Sequence, residues 1–103
     1  MSEPNYPLHP RVTSVITALF SAAERETITE LLLEECNTER IYLSSAQGLE
    51  RIQLAILKLS NGEVDKFLAA AELAQIDWRD VLMAAGFGED VEAHLKWAEK
   101  IRE

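Results

Sequence analysis

Twelve residues in the last third of the chain, I-D-W-R-D-V-L-M-A-A-G-F from Ile76 to Phe87, constrain the fold most, because they hold a helix start, an apolar face and a helix stop. Asp77 is placed to accept a hydrogen bond from the free amide of Asp80, and acids at 77 and 80 suit the positive end of a helix dipole. Trp78, Val81, Leu82 and Ala85 follow at spacings of three, four and seven, which puts them on one face of a helix. Gly86 supplies the left-handed residue that stops it, and Phe87 the apolar side chain that a Schellman cap folds back onto Leu82. So short a helix does not persist alone in water. Other helices must supply the opposite side of the core.

The rest of the chain offers them. Pro10 suits a first turn, and Val12, Val15, Ile16, Leu19 and Phe20 share a helical face, predicting a helix over 10–20. Ser21 with Glu24 makes a capping box, which opens a second helix over 22–36 or continues the first as one long helix. Its inner face is Ile28, Leu31, Leu32 and Cys36, with Glu24, Glu26, Glu30 and Glu34 outward and Asn37 as a left-handed stop. The stretch E-R-I-Y-L between Thr38 and Ser44 favours an extended path, although the chain offers no second strand to pair with it. A second capping box, Ser44 with Gln47, begins a helix whose face is Leu49, Ile52, Ala55, Ile56 and Leu59, ended by a corner at Asn61 and Gly62. Val64, Phe67, Leu68, Ala71 and Ala74 form the inner face of the next helix, where the alanines from Ala69 to Ala71 allow close packing. The last helix turns Val91, His94, Leu95, Ala98 and Ile101 or Arg102 inward. Together these elements predict an all-α fold, a single compact domain of five or six short helices in an irregular orthogonal bundle over 10–103. Pro4 and Pro7 mark residues 1–9 as a proline-containing tail, either without fixed structure or laid across the domain with Tyr6 and Leu8 in a groove.

Charge then removes several function classes. A net charge of −8 repels phosphate backbones and anionic membranes, so neither nucleic acid nor membrane is expected as a partner. Cys36 is the sole cysteine, which rules out an intramolecular disulfide and suits a reducing compartment. No basic start followed by an apolar core opens the chain, and no apolar run approaches the ~18 residues of a membrane span. The expected location is cytoplasmic.

No constellation of side chains points to catalysis, a metal or a cofactor. His9 and His94 are the only histidines, and neither has a second ligand at metal-binding spacing. Cys36 sits among acids that oppose thiolate formation, so it reads as a buried structural thiol. Helix capping explains Asp77 and Asp80, whereas Glu89, Asp90 and Glu92 lack the glycine and final glutamate of a calcium loop. The G-F-G around Phe87 follows no strand and precedes no suitably placed lysine, so it is not a phosphate cradle. A helix-turn-helix between the fourth and fifth helices would present only Arg79 to a nucleic acid.

What remains is a broad apolar last helix. Trp97 lies beside His94 and Ile101 but off the Val91, Leu95 and Ala98 line, so more than half of the helix circumference is apolar. His94, Trp97, Ile101 and Tyr42 are accordingly the candidate partner-binding residues. The sequence reads as a non-enzymatic, acidic protein-interaction module that binds a partner or itself. The alternative is an acidic mimic of nucleic acid that fills the basic groove of another protein with carboxylates of the second and last helices.

The residues D-W-R-D-V-L-M-A-A-G-F, followed by A-H-L-K-W, resemble the C-terminal half of short bacterial all-helical proteins of unknown function, with a weaker likeness from Gly48 to Ser60. The resemblance implies a bacterial, compact, helical protein and carries no particular activity.

Overall fold

The computed structural model of the chain describes residues 8–37, 41 and 46–102. Six helices follow one another: α1 (Pro10–Leu19), α2 (Ala22–Glu35), α3 (Ala46–Ser60), α4 (Val64–Ile76), α5 (Trp78–Ala85) and α6 (Ala93–Arg102). No strand occurs among the described residues, and the fold is the expected single all-α domain. Its radius of gyration, 12.4 Å, is close to the ~13 Å of a compact chain of this length. Most of the tail, most of the extended stretch with Tyr42, and the Ser44 half of the second capping box lie outside the described residues.

α3 is the hub. It packs against α1, α4, α5 and α6, while α2 packs against α1 and α4. Its burial is correspondingly broad: Leu49, Ile52, Leu54, Ala55, Ile56 and Leu57 are all enclosed. One apolar face was expected there, but a helix surrounded by four others buries most of its circumference.

Polar groups fix the ends of these helices. Asn61 and Gly62 both take left-handed backbone, with φ of 51° and 79°, and make the α3–α4 corner. At the end of α5, Gly86 (φ 81°) donates to Met83 and Phe87 to the Leu82 carbonyl at 2.8 Å, the paired bonds of a Schellman cap. Phe87 is buried beside them.

Four local expectations need correction. The Asp77 carboxylate accepts from the amide of Arg79 at 3.1 Å, not that of Asp80, which bonds to the Asp77 carbonyl. An Asp side chain reaches the second amide most readily when its own backbone is extended, as at φ −157°. Asn37 does not adopt left-handed backbone; its side-chain amide instead donates to the carbonyls of Leu33 and Glu34. Leu68 is 44% exposed and Ala70 takes the inward position on α4, where a small side chain lets a neighbouring helix approach closely. Ser21 bonds to the Glu24 carboxylate at 3.3 Å, but caps no amide of α2.

Candidate functional site

A cleft of about 760 Å³ opens where the start of α1, the first half of α3 and the start of α6 converge. Leu8, Pro10, Leu49, Val91 and Leu95 give it apolar walls. His9, Arg11, Gln47, Glu50, Gln53 and His94 add a few polar groups, the usual composition of a binding cleft of this size.

Three of those six polar residues, His9, Arg11 and Glu50, are engaged with each other. Pro10 at the first position of α1 leaves His9 as the N-cap, and His9 Nδ1 accepts the amide of Arg11 at 3.0 Å. That lone pair is therefore occupied, and Nδ1 lies 3.8 Å from Glu50, beyond hydrogen-bond distance. Arg11 supplies the charge instead, its guanidinium bonding directly to the Glu50 carboxylate. Glu50 is only 9% exposed, and a carboxylate so enclosed requires such a counter-charge. Gln53 donates its side-chain amide to the Cys36 carbonyl at 3.2 Å, tying α3 to the end of α2.

His94 differs from the rest. It is 6% exposed, its Nδ1 is buried with no hydrogen-bond partner among the described residues, and its ring lies 6.2 Å from that of Phe87. Burial lowers its pKa below the ordinary 6.5, opposed by the negative charge of Glu50 and reinforced by Arg51 and Arg11. The imidazole is thus held neutral.

Trp97 and Ile101 are half-buried and packed on the core, Trp97 at 6.1 Å from the Phe87 ring. His94, Trp97, Ala98 and Ile101 therefore form the inward line of α6. Val91 leaves that line: it precedes the helix, in a turn that Asp90 caps by accepting the Glu92 amide, and stands 71% exposed at the cleft. The expected inward position of Val91 is corrected on that ground, since the helical period cannot extend beyond the helix. Tyr42 lies outside the described residues.

Sequence reasoning missed Glu50, Arg11 and Leu49 as one site. Glu50 and Arg11 are 39 positions apart, and no local pattern links them.

Elsewhere, burial pushes the Cys36 thiol far up, making desolvation the dominant cause of its inertness. Among the described residues no group of three or more His, Cys, Asp or Glu side chains could hold a metal ion. No helix among them is long and apolar enough to cross a membrane. Exposed glutamates recur on α2 at Glu26, Glu30 and Glu34, whereas α6 mixes Glu99 with Lys96 and Lys100. No protein-family model, curated protein or solved structure matches the chain.

Proposed function

We propose that this chain is a non-enzymatic interaction module that docks an apolar segment of a protein partner in the α1/α3/α6 cleft. One observation carries the reading: the cleft is walled by apolar side chains, and its charged groups, Arg11 and Glu50, already neutralise one another. Among the described residues no serine, cysteine, threonine or lysine lines it, so they offer no ordinary nucleophile, and a paired carboxylate is a poor general base. Val91, exposed at the rim, is an apolar contact that water covers until a partner does. The resemblance to short bacterial helical proteins and the lone reduced cysteine fit a role in a bacterial cytoplasm.

The test is selection of peptides from a random displayed library against the folded chain, with binders mapped by methyl chemical shifts. Apolar binders that move the signals of Leu49, Val91 and Leu95 are expected. Binders that move only Ile76 and Met83, two other exposed apolar residues, would overturn the assignment to the cleft.

A second reading, mimicry of nucleic acid, draws on Glu26, Glu30 and Glu34, exposed on α2 and spaced one helical turn apart, about 6 Å of rise each. Replacing all three by glutamine separates the readings: binding at the cleft survives, whereas capture by a basic groove is lost.

A further inference from the structure

We propose that α6 is an acid-released latch: a proton taken up by His94 frees this helix from α1 and α3 while α2 to α5 stay packed. The release needs no partner. Because His94 and Leu95 of α6 line the cleft, it also removes one wall of the cleft, and only that consequence, loss of docking in acid, rests on the docking reading above.

Two polar side chains reach Phe87 from different helices. The Arg51 guanidinium, on α3, donates to the Phe87 carbonyl, and the His94 ring, on α6, packs 6.2 Å from the Phe87 ring. His94 Nδ1 and Arg51 Nε are both buried, and neither has a hydrogen-bond partner among the described residues. A neutral imidazole is tolerated beside a guanidinium. An imidazolium is not, because it brings a second N–H with no acceptor waiting for it and a positive charge that faces another.

The surrounding groups do not compensate that charge. Arg11 of α1 is a further cation, and it already holds the buried Glu50 carboxylate of α3. Asp90, in the turn before α6, accepts from the Glu92 amide and from Lys96 at 3.3 Å. His9, at the start of α1, spends its Nδ1 on the Arg11 amide. Burial, with Arg51 and Arg11, outweighs the attraction of Glu50 and Asp90, so His94 takes a proton more readily once the helix has left.

α6 is also the helix most able to leave. It packs chiefly on α1 and α3, and among its described residues only His94 and Ala98 are buried, with Trp97 and Ile101 half-buried. The connection over 86–92 is exposed at every residue except Phe87. The core of α3, α4 and α5, by contrast, encloses Ile52, Leu54, Phe67 and Val81 completely. Elements with few buried contacts open at lower free energy than such a core.

Amide hydrogen exchange on the full chain, followed between about pH 7.5 and pH 5 and corrected for intrinsic rates, tests the latch, with His94 titration read from its ring nitrogens in the same samples. The amides of Trp97 and Ala98 should open more often than those of Ile56 and Ala71, and their opening should rise by up to about ten-fold per pH unit below 6.5. His94→Phe and His94→Gln, neither of which takes a proton in this range, should each remove the rise. His9→Ser, which keeps a capping residue on α1, should leave it. Opening of α6 that stays constant while the His94 ring titrates would overturn the proposal, and that result needs no variant to fold. So would a single opening shared by α6, α3 and α4 at every pH, or a rise lost in His9→Ser and kept in both His94 variants. A cleft-binding peptide held equally well in acid while α6 opens would overturn the docking consequence and leave the latch standing.

Discussion

The two ends of α3 are finished differently. Toward its C-terminal end, Lys58 donates to the Ala85 carbonyl at 2.7 Å and lies 5.0 Å from the centre of the Phe87 ring, while Arg51, one turn from the other end, reaches back to the Phe87 carbonyl. With the Schellman bonds, these contacts occupy the carbonyls at the end of α5 and enclose the Phe87 side chain. At the N-terminal end, around Leu49 and Glu50, the same helix faces an open cleft, with an imidazole nitrogen unpaired and Val91 in water. One region is closed over Phe87 by these contacts, with only the Arg51 Nε buried and unpaired among its described side chains, and it holds the fold together. The other keeps apolar surface at Val91 exposed, which is what an interface needs before its partner arrives.

The contrast can be broken by substitution, beginning with the closed end. Phe87→Ala removes an enclosed ring on which α3, α5 and α6 converge, and should cost about 3 to 5 kcal/mol in chemical denaturation, enough to unfold a marginal domain. Gly62→Ala should cost more than ~2 kcal/mol, because a Cβ there would stand 2.7 Å from the Leu19 carbonyl oxygen as well as straining a φ of 79°. Gly86→Ala has nearly the same φ but meets only the Lys58 amine, at an ordinary 3.7 Å, so about 1 kcal/mol is expected. The difference between these two glycines isolates the steric clash from the backbone strain.

Acid should act on the open end. The pKa of His94 is lowered in the fold by burial, so the unfolded chain binds its proton more readily. The stability this contributes is fully present above the ordinary value of 6.5 and is lost as pH falls through it toward the lower folded value. Denaturation midpoints of the wild type should therefore drop more steeply below that pH than those of His94→Phe. Smallest of all, Val91→Asp at an exposed turn should change stability by no more than about 0.5 kcal/mol.

Much of the fold was legible because its signals are local. The Asp77-to-Phe87 stretch contains its own cap, face and stop, and the Asn61-Gly62 corner needs only two residues able to adopt left-handed backbone. Where the sequence misled, a neighbour decided the outcome: Leu68 gave way to Ala70 under close helix contact, and Val91 fell outside a helix that begins at Ala93. The candidate site was far less legible. His94 was named from its place on α6, and Trp97 and Ile101, read as contacts for a partner, are half-buried against the core. The pairing of Arg11 with Glu50 depends on two helices meeting, and no periodicity within either helix announces it.

Matched substitutions at two exposed apolar positions test the central claim most directly. Val91 stands at the cleft, and Met83, 63% exposed on α5, belongs to the closed region. Measured against a peptide selected on the wild-type chain, Val91→Asp should lower affinity by at least about ten-fold with an unchanged unfolding midpoint, while Met83→Asp leaves affinity untouched. Retained affinity in Val91→Asp together with loss in Met83→Asp would contradict the account and move the interface to the other side of the molecule.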